Sequence, residues 1–464
     1  MKQILIVGGG ITGLASAFYI QEEIKAKNLP YKIKLVEAKD RVGGKIETVH
    51  RDGFTIERGP DSFLSRKKPA VDLVEKLGLT DELVRNSTGQ AHILVGKKLH
   101  KIPPGSFMGI PTQVQPFLFS GLFSVKGKLR AGLDFVKPKG KAGDDQALGL
   151  FFRRRFGDEL VENLIEPLLS GIYSGDVDEM SLMATFPNFY QLEQKHGSLI
   201  KGLNKTMPKQ PKTKEKKPGI FYALKGGFES LVKELEQQLE DVISLNTAVD
   251  HVEKKENGYH VLLSDGTVYK ADAMIVTSPH TTLQKMFSQH EALKTVEEIP
   301  TTSVANVALA YDQKAIRKEL DGTGFVVSRN SDFRITACTW THRKWPHTTP
   351  EGKVLLRSYV GGPHDPNVAF LSDDEIVDIV LKDLRKIMKI KGEPNFKVIS
   401  RFKNKMPQYT VGHLERIKAI RDYAATNLPG VFLAGASFEG VGVPDCIEQG
   451  EKAGTQLLQF ISEH

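Results

Sequence analysis

The chain has 464 residues, 40% of them hydrophobic and 26% charged, an ordinary globular mix with room for two or three domains. Its two cysteines, Cys338 and Cys446, lie far apart in sequence, which argues against a disulfide framework or a cysteine-built zinc site. Both read as small buried hydrophobes, and no metal site is expected. Much of the net charge of +8 sits in Lys201, Lys205, Lys209, Lys212, Lys214, Lys216 and Lys217, where no aromatic residues are interleaved, so nucleic acid is not an expected partner.

Met1–Gln3 leads directly into the apolar run Ile4–Val7 with no charged, apolar and small succession, so no signal peptide is expected and the cytoplasm is the expected address. Ile4–Val7 predicts a short buried strand, Ile11 to about Lys27 a helix, and Lys32–Glu37 a second strand, a complete β-α-β unit. Between the first strand and the helix, Gly8, Gly10 and Gly13 match G-x-G-x-x-G. Gly8 permits a tight turn, Gly10 lets a pyrophosphate approach the backbone, and Gly13 lets the helix pack close to the sheet. The backbone of Gly8, Gly9, Gly10, Ile11, Thr12 and Gly13 is thus the candidate phosphate cradle, at a helix N-terminus that favours anions. Glu37 ends the second strand, where its carboxylate can accept both ribose hydroxyls and repel a 2′-phosphate; Ala38 follows it.

Ile102–Val125 contains no charged residue, but Pro103, Pro104, Pro111 and Pro116 break any spanning helix. With Lys97, Lys98, Lys101, Lys126, Lys128 and Arg130 on its flanks, it reads either as an oily surface for a membrane or hydrophobic substrate, or as a subdomain core. Further on, Gly226–Phe228 leads into an amphipathic helix carrying Leu231, Val232, Leu235 and Leu239. Asp265-Gly266 between Tyr259–Ser264 and Thr267–Ala271 predicts a hairpin, and Ala273–Val276 a further buried strand. Near the end, a strand from Val431 enters a glycine-rich turn, and a helix follows to about Ile461.

The stretch Glu37–Lys45, with Gly43 and Gly44, resembles the second fingerprint of the flavin-containing amine oxidase superfamily, and Glu57–Ser62 resembles its next turn. The resemblance implies FAD, with Gly44, Lys45, Gly59, Pro60, Asp61 and Ser62 along it and the backbone of Val252 at the adenine. Phe402 is expected to pack against the cofactor, and Val441, Gly442 and Val443 to face the flavin's N1–C2 edge. Ile165–Asp176, Met406–Tyr409 and Gly435–Val441 are similar to segments of protoporphyrinogen oxidases, above all the Gram-positive branch that oxidises coproporphyrinogen III.

That likeness implies a Rossmann-like α/β FAD domain at 1–68, 218–298 and 406–464. An α+β substrate domain is expected at 69–90 and 299–405, and a helical, membrane-facing insert at 91–217. It further implies a six-electron aromatisation of coproporphyrinogen III to coproporphyrin III in haem biosynthesis, with protoporphyrinogen accepted as well. The implied chemistry is removal of hydride from a meso carbon to flavin N5 with loss of pyrrole N–H protons, and reoxidation of the flavin by dioxygen to give hydrogen peroxide. No cysteine lies in Ser437–Val443, so the FAD is expected to be non-covalent. Ile172 is the candidate apolar wall of the substrate site, with plain core as its other reading. Lys67 and Tyr359 are the candidate catalytic and propionate-binding groups. The alternatives are a protoporphyrinogen IX oxidase, an amine oxidase or a carotenoid-type desaturase. Partners are a tetrapyrrole and dioxygen, with peripheral contact to a membrane or to the next haem-pathway enzyme left open.

Overall fold

The computed structural model describes residues 1–87, 90–141, 143–206, 219–316 and 321–464, so Lys209, Lys212, Lys214, Lys216 and Lys217 lie outside the described residues. The chain divides into one unit of Met1–Arg85, Ile220–Ile299 and Leu414–His464, and a second of Asn86–Gly219 and Pro300–His413.

The first unit is built on β1 (Lys2–Val7), α1 (Ile11–Lys27) and β2 (Tyr31–Val36). These lie in a five-stranded parallel sheet, ordered Ile243–Ser244, β2, β1, Ala273–Val276, Val431–Leu433. Ile4, Leu5 and Ile6 are fully buried, as a strand covered on both faces requires. The chain leaves β1 for β2 on one side, and Ala273–Val276 joins on the other. The strand order therefore reverses at β1, and the crevice beyond its carboxyl end is where open α/β sheets bind ligands.

α1 is pressed between this sheet and the C-terminal helix Val443–Glu463. A Cβ on Gly450 would stand 2.4 Å from the Thr12 carbonyl oxygen, so the two helices touch backbone to backbone. Ser16 Oγ lies 2.9 Å from Thr12 O and 3.0 Å from Gly450 O and binds the pair. Residues 69–85, expected in the substrate domain, belong to this unit instead. The helix Lys68–Lys76 is amphipathic, and Ala70, Leu73, Val74 and Leu77 enter the same core as α1. The predicted hairpin closes at Gly266 (φ +83°), where the Asp265 carboxylate accepts the Thr267 backbone N–H at 2.9 Å and its hydroxyl at 2.7 Å.

The second unit holds a seven-stranded sheet, ordered Phe396–Pro407, Thr301–Asp312, Lys353–Gly361, Ile335–Trp340, Gly324–Val327, His92–Val95, Lys98–Lys101. The helix Asp373–Ile387, started by a Ser372–Glu375 capping box, packs Ile376, Val380 and Leu384 into its core. The stretch from residue 91, expected to be mostly helical, begins with two strands. His92–Val95 is a buried apolar run, and Gly96-Lys97 turns it back on itself. Helices run from Val114–Leu118 to Leu199–Thr206. Within them Arg155, fully buried, bonds Asp134 at 2.6 Å and lies 3.1 Å from Glu193.

The uncharged stretch 102–125 divides between its two readings: Ile110, Phe117, Leu122 and Phe123 are buried, while Val114, Leu118, Phe119 and Val125 are exposed. Among the described residues, no helix is long and apolar enough to cross a membrane.

Gly10, at the start of α1, and Gly13, in its first turn, lead to opposite expectations. A Cβ on Gly13 would stand 1.9 Å from Gly8 O, whereas one on Gly10 would meet nothing within 4 Å. Gly13→Ala is expected to cost about 1–3 kcal/mol, as overpacking does, and Gly10→Ala to melt like the parent. Circular-dichroism melts of the flavin-free proteins check both; equal melting of the two variants contradicts the close packing at Gly13.

Candidate functional site

The site grows from the carboxyl end of β1. Gly8 takes φ +107°, a conformation that favours glycine, and its N–H donates to Val36 O at 2.8 Å. Thr277 Oγ1, 3.0 Å from both Val7 O and Gly8 O, holds the turn from the neighbouring strand. α1 starts at Ile11 with no side-chain cap, so its first N–H groups and the positive end of its dipole face the open space beside Gly10.

Glu37 leaves β2 with its backbone pinned on both sides, N–H to Ser244 O at 2.9 Å and C=O from Thr247 N–H at 2.8 Å. Its carboxylate accepts the Gly9 N–H at 2.7 Å and the Lys39 N–H at 2.9 Å. Those bonds fix the carboxylate beside the glycine loop and leave further lone pairs for hydroxyl donors. Ala38 next to it is exposed.

The second glycine loop closes on the first. Gly43 (φ +96°) donates its N–H to Gly9 O at 2.8 Å, and a Cβ on Gly44 would lie 3.2 Å from Gly10 Cα. Arg41 clamps the loop through the carbonyls of Val42, Gly44 and Ile46 and the Glu47 carboxylate, at 2.9 to 3.1 Å. The third segment meets the second: a Cβ on Gly59 would stand 1.9 Å from Lys45 O, so Gly59 must be glycine for the turn Pro60, Asp61 and Ser62 to follow. Val252 is fully buried on the strand Val249–Lys255, and its carbonyl accepts Gln289 Nε2 at 2.6 Å.

The C-terminal turn completes the convergence. Gly435 (φ +114°) sits against α1, where a Cβ would lie 3.7 Å from Thr12 Oγ1, and its N–H donates to Gln449 Oε1 at 2.9 Å. Val441, Gly442 and Val443 are half-buried and open the C-terminal helix, again without a side-chain cap. Behind them lies a residue that sequence reasoning misses, His280, which is 2% exposed. Ser437 Oγ stands 3.1 Å from the His280 N–H and 3.0 Å from Nδ1, and Nε2 lies 3.1 Å from Ile299 O. Since Ile299 O can only accept, Nε2 carries the proton and Nδ1 receives the Ser437 hydroxyl. Burial pushes the His280 pKa down, so the ring is neutral and holds the turn by hydrogen bonds alone. A single histidine after Thr277-Ser278-Pro279 carries no spacing signal that could have marked it.

Lys67 Nζ pairs with Asp445 Oδ1 at 2.5 Å, with the two side chains 43% and 32% exposed. The expected rim lysine is therefore tied to the first turn of the C-terminal helix. The other expected substrate residues belong to the second unit. Ile172 is 47% exposed near the end of the helix Glu166–Tyr173, which removes its reading as plain core. Tyr359 is half-buried on Lys353–Gly361, with the Arg357 guanidinium 5.2 Å from its ring centroid. Phe402 is half-buried on Phe396–Pro407. Both cysteines are buried free thiols, and burial pushes Cys446 up to about 11 and Cys338 up to about 12.

The first unit thus unites the Gly8–Gly13 loop, Glu37, Gly43-Gly44 and Gly435, with two uncapped helix starts. Room at Gly10 for a phosphate, and a carboxylate fixed at the end of β2, fit a dinucleotide such as FAD.

Comparison with known proteins agrees. The family described as flavin containing amine oxidoreductase matches residues 11–458. A coproporphyrinogen III oxidase of Bacillus subtilis (strain 168) is 54% identical over 463 residues, covering 99% of this chain and 98% of the relative. A second, from Staphylococcus aureus (strain NCTC 8325 / PS 47), is 43% identical over 465 residues, covering 98% and 99%. A crystal structure from Exiguobacterium sp. 255-15 superposes with a TM-score of 0.88 at 39% identity, covering 100% of this chain and 99% of that one. The chain therefore belongs to the flavin containing amine oxidoreductase family, and its redox cofactor is a flavin.

Proposed function

We propose that the chain is an FAD-dependent, oxygen-utilising oxidase that aromatises coproporphyrinogen III to coproporphyrin III in haem biosynthesis, and that it also accepts protoporphyrinogen IX. The observation that carries this reading is the end-to-end 54% identity to a coproporphyrinogen III oxidase, joined to the glycine loops and anchored carboxylate of a dinucleotide site.

When bound, FAD supplies the two-electron acceptor for hydride from the porphyrinogen meso carbons, with dioxygen as final oxidant. The chain's own residues bind and orient. The Gly8–Gly13 backbone and the first turn of α1 hold the pyrophosphate, and Glu37 accepts the ribose hydroxyls. Ala38 and Val252 line the adenosine, while Gly44, Lys45 and Gly59–Ser62 run beside the rest. The N–H groups of Val441, Gly442 and Val443, at the positive end of a 21-residue helix, stabilise negative charge at the flavin's N1–C2 edge. Neutral His280 keeps the turn before them in position through Ser437. In the second unit Ile172 offers an exposed apolar wall, Tyr359 a hydroxyl for a propionate and Phe402 a half-buried aromatic ring. Lys67 exchanges Asp445 for a substrate propionate, an anion of the same chemistry.

The flavin is held without a covalent bond, because Cys446 is a buried thiol with a raised pKa. The setting is cytoplasmic. The exposed stripe Val125, Leu129 and Leu133, one helical turn apart beside Lys126 and Lys128, supports peripheral contact with a membrane or with the next enzyme of the pathway.

Anaerobic bleaching of the flavin with a panel of substrates tests the reaction. Coproporphyrinogen III and protoporphyrinogen IX are expected to bleach it; bleaching by amines or carotenes without either porphyrinogen refutes the reading. Acid or heat should release all the flavin into the supernatant, and Glu37→Ala should weaken FAD binding by about 1.5–3 kcal/mol, as loss of charge-assisted bonds does. Unchanged affinity by fluorescence titration removes Glu37 from the ribose. Lys67→Ala should raise KM for coproporphyrinogen, with four propionates, more than for protoporphyrinogen, with two. The difference should be about 1 kcal/mol, since the pair is half-exposed, and should shrink at high salt. Equal losses for both substrates at both salts would take Lys67 out of propionate recognition.

A further inference from the structure

A group of ionisable side chains in the second unit has no part in flavin binding. Glu166 follows a π-turn, Val161–Ile165, and opens the helix Glu166–Tyr173. Ser174, at φ +52°, ends that helix, and Asp176 follows. His364 lies just beyond the strand Lys353–Gly361. One ligand atom from each of Glu166, Asp176 and His364 lies within 4.8 Å of the other two.

Arg329 makes the arrangement more than a cluster of acids. Its guanidinium takes Glu166 Oε1 at 2.6 Å and Asp176 Oδ1 at 3.2 Å, one oxygen from each carboxylate. Glu166 is 5% exposed, and its other oxygen, Oε2, is buried with no hydrogen-bond partner among the described residues. Asp176 Oδ2 stands 3.6 Å from His364 Nε2. A buried carboxylate oxygen without a partner is costly unless a donor or a cation meets it. The surroundings favour a cation. Five carboxylates, Asp158, Glu162, Glu166, Asp176 and Asp178, share two guanidiniums, Arg153 and Arg329, so negative charge exceeds positive even with Arg329 close by.

We propose that Glu166, Asp176 and His364 form a binding site for a divalent first-row transition ion of the Mn2+ or Zn2+ type. Two carboxylate oxygens and one imidazole nitrogen are a mixed donor set that suits these ions better than Mg2+ or Ca2+, and three protein ligands leave positions for water. Arg329 acts behind the ligands, turning the free oxygen of each carboxylate inward as outer partners do in metal sites. The ion ties the helix Glu166–Tyr173 to the end of the strand Lys353–Gly361, a cross-link within the second unit. None of its three ligands is among the residues assigned to the flavin or the substrate, although the two elements it joins carry Ile172 and Tyr359.

Manganese titration of the untagged, FAD-loaded, chelator-treated chain tests this, read by the loss of the free Mn2+ electron paramagnetic resonance signal. Saturable binding of one Mn2+ per chain, displaced by Zn2+, is expected, with a rise in melting temperature. His364→Ala, at a side chain 61% exposed, should keep the fold and lower the affinity on the order of 10-fold or more. Glu166→Gln should do the same where it folds. Absence of saturable Mn2+ and Zn2+ binding overturns the proposal. So does binding whose affinity is unchanged in His364→Ala, or Mg2+ binding as tight as Mn2+.

Discussion

The first unit depends on a contact that excludes a methyl group. Gly13 lets α1 begin against the carbonyl of Gly8, and Gly450 lets the C-terminal helix lie on the carbonyl of Thr12. These two close approaches put α1 in place along its first turn. With α1 placed, its uncapped N-terminus lies at the end of β1, where the order of strands reverses. Gly435 can then reach Thr12, and the second glycine loop can bond to Gly9. Backbone-to-backbone packing thus sets the site before any charged group contributes.

Charge then sharpens what packing has placed. Glu37 and Arg41 are both anchored, but in different ways: the carboxylate by two backbone N–H groups, the guanidinium by three carbonyls and Glu47. Each spends its hydrogen bonds on the loop it stands beside, so the loops are rigid where a ligand would need them to be preorganised. Lys67 and Asp445 are the half-exposed counterpart, a pair that solvent screens in part.

Much of this is legible in the sequence, and the limits of legibility have physical causes. β1, α1 and β2 follow from continuous and helical apolar spacing, and their ends agree with the expectation to within two residues. The Asp265-Gly266 hairpin follows from turn chemistry. Residues 69–85 join a different unit from the one expected because an amphipathic helix announces a buried face but not what covers it. His92–Val95 stays hidden because a short apolar run reads equally as a buried helix segment. Asp445, His280 and Arg329 escape sequence reasoning for a different reason. Their partners lie 378, 157 and 163 residues away, and no local pattern records a pairing at that distance.

The discontinuity of the two units bears on how the chain acquires its structure during synthesis. The strand Val431–Leu433 borders the parallel sheet, and the helix that covers α1 spans Val443–Glu463, more distant in sequence than the whole second unit. The β-α-β segment therefore has the apolar flank of α1 uncovered until the helix that starts at Val443 has been made. The second unit is interrupted in the same way, because the strands at 92–101 pair with a sheet whose other members lie beyond residue 300. The last segment of the first unit follows the whole of the second, so the unit that starts first is completed last. Both sheets pair strands that are distant in sequence, the feature that slows folding and prolongs exposure of apolar surface.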